Sequence, residues 1–235
     1  MLSILFFILL IAGGMTFAVA GKKLTVAAAI TGAVLCTSIF IGVGWTGVAL
    51  MTAFFVMGTL ATSWKKGAKE KIGLAQENKG RRTTGQVLAN GGAGGLLGLL
   101  AILFPQQEGL FLFLIAAVFS SATADTIASE LGSVYGKRFY DILSFREVQR
   151  GPDGVISVEG LIFGIAGSAI IAAIYALGEG LHATFGWIVL AGTIGNLADS
   201  YLGATLERGR RIGNDLVNFL NTAIAAIVAL VLSLF

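Results

Sequence analysis

The sequence predicts an all-α fold: a polytopic helical membrane protein of about eight transmembrane helices, with both termini on the non-cytoplasmic side. Three observations carry that expectation. The chain is 56% hydrophobic and only 12% charged, with mean hydropathy +0.86, whereas a soluble domain carries about 25% charged residues. Its apolar runs are about 20 residues long, the length that crosses a bilayer as a helix. Its 16 Lys and Arg collect in alternate loops, as expected when basic loops stay in the cytoplasm. The expectation is a single integral membrane domain over 1–235, with little left over for a soluble one.

The first span is Leu2–Ala20. Ala18-Val19-Ala20 resembles a signal-peptide cleavage site, but no cation precedes the apolar run and Lys22-Lys23 follow it. That order predicts a retained span with its N-terminus outside. The apolar stretch Leu24–Thr62 is too long for one span, so Gly42-Val43-Gly44 divides it into Leu24–Ile41 and Trp45–Thr62. Span four is Gln86–Phe104, stopped by Pro105, and span five is Leu110–Glu130. Spans six, seven and eight are Ile156–Leu177, Ala183–Leu206 and Asp215–Phe235.

Charge tests this division. Loops after the odd-numbered spans hold Lys22 and Lys23; Lys65, Lys66, Lys69, Lys71, Lys79, Arg81 and Arg82; Lys137, Arg138, Arg146 and Arg150; and Arg208, Arg210 and Arg211. Every basic residue is there, and the other loops hold only Glu108, Glu179 and His182. The larger cytoplasmic segments are therefore about 63–85, 131–155 and 207–214.

Carboxylates inside apolar spans are costly and mark function. Ala124-Asp125-Thr126-Ile127-Ala128-Ser129-Glu130 ends span five, and its near-echo Asp199-Ser200, followed by Glu207, ends span seven. Both spans run inward, so these acids lie at the cytoplasmic face. Arg82, Gln86 and Asn90 share one stripe of span four, and Asn214, Asn218 and Asn221 one stripe of span eight. Hard cations such as Mg²⁺ take carboxylate, carbonyl, water and phosphate oxygens. Asp125, Asp199, Glu130, Glu207 and Asp215 are the candidate metal ligands, with Asn214 and Asn218 orienting water or phosphate. Arg82, Lys137, Arg138 and Arg150 are candidate phosphate clamps. The Gly151-Pro152-Asp153-Gly154 turn before the helix Ile156–Leu177, which carries Ser157 in its first turn, offers free N–H groups for an anion. Gln86, Asn90, Ser129, Asn196, Ser200 and Asn221 would line the substrate pocket.

Plainer readings stand beside these. Lys65–Lys71 suits a topology signal, the asparagines of span eight suit interhelical hydrogen bonds, and Gly91–Gly98 suits helix packing. Glu207 could pair with Arg208, Arg210 or Arg211. Gly42-Val43-Gly44-Trp45-Thr46-Gly47 matches a dinucleotide fingerprint as a string but lies between two spans, not between a strand and a helix. No Walker A sequence is present, and one cysteine, Cys36, excludes an internal disulfide. Nothing points to nucleic acid.

Five stretches in order are similar to the phytyl-phosphate kinase family of integral membrane proteins, long a family of unknown function that includes transmembrane protein 19 relatives. They are Gln86-Val87-Leu88-Ala89-Asn90-Gly91, Ala122 to Gly132, Gly151 to Ser157, Asp199 to Glu207, and Asn214-Asp215-Leu216-Val217-Asn218. The resemblance implies transfer of phosphate from a nucleotide, CTP, onto a prenyl monophosphate such as phytyl phosphate, giving the diphosphate used in isoprenoid and tocopherol synthesis. The expected partners are the prenyl phosphate lipid, the nucleotide and membrane lipids, with a homo-oligomer left open. A lipid cytidylyltransferase using CTP and a transporter of anionic solutes are the alternatives; a transporter site belongs nearer the bilayer midplane.

Overall fold

Gly44 decides how the N-terminal half of the chain is arranged. Helix α1 (Leu2–Ala20) is followed by α2 (Val26–Ser63), a run of 38 residues that would measure about 57 Å if straight. Yet Lys23 Nζ, just before α2, donates to Ser63 Oγ, at its end, over 2.9 Å. The chain reverses at Gly44, whose φ of 69° and ψ of −154° are open essentially to glycine alone. α2 is therefore two antiparallel arms, and the break falls in the Gly42–Gly44 stretch at which the sequence divides its long apolar run.

The structure, a computed structural model, describes residues 2–71 and 80–235. Lys79 and positions 72–78 of the expected cytoplasmic segment lie outside the described residues. After α2 come α3 (Lys66–Lys71), α4 (Thr84–Leu103), a 3-10 turn (Pro105–Gln107) and α5 (Glu108–Tyr135). A small sheet then leads into α6 (Val158–Glu179), α7 (Thr184–Leu202), a π-helical turn (Gly203–Glu207) and α8 (Asn214–Leu232). Among the described residues six helices are long and apolar enough to cross a membrane; α2 counts once among them and α7 is not one. Thr193, Asn196, Asp199 and Ser200 make the second half of α7 polar.

α5 is the axis. Phe111 to Ala124 are buried without a break, because α2, α4, α6, α7 and α8 all pack against it. A helix enclosed on every side needs no polar face, which is why this stretch shows no amphipathic period. The outside of the bundle is apolar instead: Leu9, Leu60, Leu103 and Leu177 are all exposed. So broad an apolar surface is matched by lipid, not water.

Segment 131–155, expected as a polar cytoplasmic segment, leads from the end of α5 into a small sheet within the all-α fold. β1 (Phe139–Asp141) pairs antiparallel with β2 (Glu147–Val148) and β3 (Val155–Ser157), in the order β2-β1-β3. The Gly151–Gly154 turn consequently enters a strand, not a helix. Ser157 then caps α6, accepting from Gly160 N at 3.0 Å.

The two ends of the bundle differ. At one end Trp45 Nε1 donates to Ser3 Oγ, and Thr46 Oγ1 reaches Glu179 Oε1. The other end gathers Lys23, Ser63 and Arg82, joined through backbone bonds between Lys23, Thr25 and Arg82. α8 starts at this second end and runs about 28 Å away from it, so both described chain ends lie opposite the polar end.

Candidate functional site

Small residues bring α5 and α7 together, and the contact sets the site. Ser120 Oγ donates to Ile188 O over 3.0 Å. A Cβ on Gly195 would stand 2.1 Å from Ser121 Oγ, so only glycine allows the helices this close. α5 and α7 run in the same direction. One turn beyond the Ser121–Gly195 contact on each helix stand Asp125 and Asp199. Their carboxyl groups are in hydrogen-bonding contact. Two carboxyl groups that close inside a bundle need a proton or a cation between them. Behind them Asn221, fully buried on α8, donates Nδ2 to Asp199 Oδ1 at 2.6 Å. Its Oδ1 accepts from Ser121 Oγ at 3.0 Å, so Asn221 fixes Asp199 from outside the cavity.

The pair faces a cavity of 340 Å³ at the polar end of the bundle. Gln86 and Asn90 on α4, Ser129 and Glu130 on α5, and Asn196 and Ser200 on α7 border it. So do Arg82, Arg150, Gly151, Gly154, Ser157, Glu207, Asn214 and Asn218. The stripes read from the sequence thus converge. Gln86 is partly committed, because its Oε1 accepts from Thr83 N in a capping box. Asn214 Oδ1 accepts from Asn218 Nδ2 at 2.5 Å. Asp153, which the sequence left without a role, also lines the wall.

Several expected residues stand elsewhere. Lys137 and Arg138 are exposed and do not border the cavity; the chain leaving α5 for β1 carries them past it. Asp215 also lies outside the wall, its carboxylate against Gly85 in the first turn of α4, where a helix N-terminus favours negative charge. Glu207 does not pair with Arg208. Arg208 binds Asp141 Oδ2 at 2.8 Å and the carbonyl of Asp153, tying the π-helical turn to the sheet. That guanidinium, with the Ser144 and Leu143 amides, holds the Asp141 carboxyl down to about 2. Glu207 is instead pushed up to about 7, by burial first and then by Asp153 and Asp199, with a hydrogen bond from Asn214 opposing.

Lys69 is the main residue that sequence reasoning missed. It is 1% exposed. Its Nζ contacts Glu130 Oε2 at 2.5 Å and donates to the carbonyls of Ala61 and Thr62. Read in sequence it is one more cation in a basic loop; only the burial of Glu130 sets it apart. Lys65 over the Tyr135 ring and Trp64 Nε1 donating to Tyr135 Oη dock the same loop on α5.

The wall is acidic: Asp125, Glu130, Asp153, Asp199 and Glu207 against Arg82 and Arg150. Glu130 Oε1 and Asn90 Oδ1 are buried without a hydrogen-bond partner among the described residues. Such a wall, with acceptors left over, fits a hard cation. Among the described residues no group of three acids, histidines or cysteines is drawn together to hold an ion alone. Mg²⁺ does not need one, since it binds through one or two carboxylates with water and substrate phosphate.

A family model described as "Integral membrane protein DUF92" matches residues 8–226. The chain is 34% identical over 192 residues to Protein VTE6, chloroplastic, of Arabidopsis thaliana, covering 77% of this chain and 57% of that protein. It therefore spans little more than half the length of that relative. An uncharacterized membrane protein of Synechocystis is 34% identical, over 75% of this chain and 70% of its own. One from Methanocaldococcus jannaschii is 32% identical, over 76% and 73%. No solved structure matches the chain.

Proposed function

Because the chain belongs to the integral membrane protein family DUF92, we propose that it is a membrane-bound phosphotransferase, converting a prenyl monophosphate such as phytyl phosphate to the diphosphate with CTP as donor. The observation that carries this reading is the meeting of Asp125 and Asp199 at the head of a cavity that also holds Arg82 and Arg150. The resemblance to phytyl-phosphate kinases supplies the reaction. In this reading the cavity faces the cytoplasm, which the charge rule supports, and the chain crosses eight times, the α2 arms counted separately and α7 included.

The acceptor phosphate is already anionic, so it attacks the γ-phosphoryl group without a strong base. A bond forms from an acceptor phosphate oxygen to the γ-phosphorus, and the bond to the β-phosphate oxygen breaks, releasing the nucleoside diphosphate. Catalysis is mainly alignment and neutralisation of charge. Mg²⁺, when bound, would supply that neutralisation, held by Asp125 and Asp199 with Glu207 nearby. Arg82 and Arg150 grip phosphate oxygens, each able to give parallel hydrogen bonds. Asn90, Asn196 and Asn218 offer amide donors to the remaining oxygens. Asn221 keeps Asp199 turned into the cavity.

The test is incubation of the purified protein with nucleotide labelled at the γ- or α-position and prenyl monophosphates. Label from the γ-position in the lipid is the expected result, lost in Asp199→Asn with the melting temperature retained. Label from the α-position identifies a cytidylyltransferase instead. A rate indifferent to EDTA refutes the metal assignment.

A further inference from the structure

A second cavity, apolar and 180 Å³ in volume, lies between α1, both arms of α2, and α4. Met15 of α1, Gly32 and Cys36 of the first arm, Phe55 of the second and Val87 of α4 form its wall. Arg82 and Gln86 border this cavity and the polar one alike. The Arg82 guanidinium stands at that boundary, 5.3 Å over the Phe54 ring, and among the described residues no carboxylate forms an ion pair with it.

We propose that this cavity seats the head-proximal part of the hydrocarbon tail of a prenyl monophosphate, whose phosphate is held by Arg82 at the mouth of the polar cavity. The proposal rests on the phosphotransferase reading for the identity of the head group. Its own support is the continuity of an apolar space with a buried guanidinium that makes no ion pair among the described residues; Glu130, which acts on its charge from farther off, is itself bound to Lys69. A cation at the junction of an oily and an acidic cavity orients an amphiphile in one sense only, tail towards Cys36 and phosphate towards Asp125.

Two further facts fit. Pockets that enclose a whole drug-sized ligand measure roughly 300–1,000 Å³, so 180 Å³ takes only the first part of a long tail. The rest must leave sideways into the bilayer. The wall on that side is α1, which has only Phe7 and Ala18 buried and packs principally on α2. A Cβ on Gly14, which faces the cavity from α1, would meet nothing within 4 Å. The thin, loosely packed side is thus the one that a tail entering from the membrane must pass.

The experiment is photo-crosslinking of the full chain in nanodiscs with a prenyl monophosphate carrying a diazirine near the head, in the absence of nucleotide. Cross-linked peptides are mapped by mass spectrometry. The expected products fall on the peptides holding Met15, Cys36 and Phe55. They are competed by unlabelled prenyl monophosphate and not by inorganic phosphate or phosphatidate. Gly32→Phe fills the cavity from a position where a Cβ has no neighbour closer than 4.0 Å. It should lower the yield about tenfold or more, equivalent to about 1.4 kcal/mol of binding. Cross-links confined to α6, α7 or α8 overturn the proposal, as does equal competition by phosphatidate, which means that bulk lipid fills the space. Because the cross-linking needs no nucleotide, cross-links at the cavity together with no phosphate transfer in the labelled-nucleotide assay would overturn the kinase reading and leave the tail seat standing. Transfer with cross-links elsewhere would do the reverse.

Discussion

Lys69→Met should destabilise the protein far more than loss of a loop lysine does. The side chains of Lys69 and Glu130 are 2% and 6% exposed and meet at 2.5 Å. Removing one partner of a buried pair leaves the other charged and unmatched, at a cost of about 3–5 kcal/mol. For a chain of this size each kcal/mol moves the melting temperature by about 2–4 °C. The expected drop is therefore roughly 6–20 °C, whereas an ordinary surface change stays within about 0.5 kcal/mol. Glu130→Gln should cost a comparable amount, because it strands the lysine. The double variant Lys69→Met with Glu130→Gln should recover much of the loss, since neither charge then remains buried; the coupling is read from the cycle. Melting followed by tryptophan fluorescence in nanodiscs at one scan rate measures all four proteins. A drop below about 2 °C in Lys69→Met, or a double variant as unstable as the sum of the singles, would show that the pair does not hold the loop onto α5, and Lys69 would return to being a topology signal.

Asn221→Ala removes hydrogen bonds to Asp199 and from Ser121, and should cost about 1–3 kcal/mol; turnover should fall while the KM for nucleotide changes little, measured by steady-state kinetics. Glu207 sits at about 7 in the fold against an ordinary value of 4.5, so the folded state binds the proton more tightly. Stability from this group is present below about 4.5 and lost as pH rises to about 7; melting against pH should show that decline, and Glu207→Gln should flatten it. Gly154→Ala places a methyl 2.4 Å from Ala204 Cβ at a φ of +76°, and the strained backbone alone costs about 1–3 kcal/mol. The turn should lift off α7, which raised proteolysis between 146 and 157 would report.

The sequence by itself determined the membrane class, the division of the long apolar run at Gly42–Gly44 and the gathering of basic residues at one end. Hydropathy and charge act residue by residue, and a strained glycine needs no distant partner, so these properties are legible along the chain. The polar stripes on α4 and α8 were legible too, because a surface facing a cavity keeps the helical period. The pairing of Lys69 with Glu130, the strand that separates Gly154 from α6 and the position of Asp215 beside α4 were decided only by tertiary structure. α5 is buried all round, so its sequence carries no period to say which neighbour each residue meets. The rotation that turns Asp125 towards Asp199 comes from the Ser121–Gly195 approach, a contact between residues 74 positions apart. Such a contact exists only once the helices have packed.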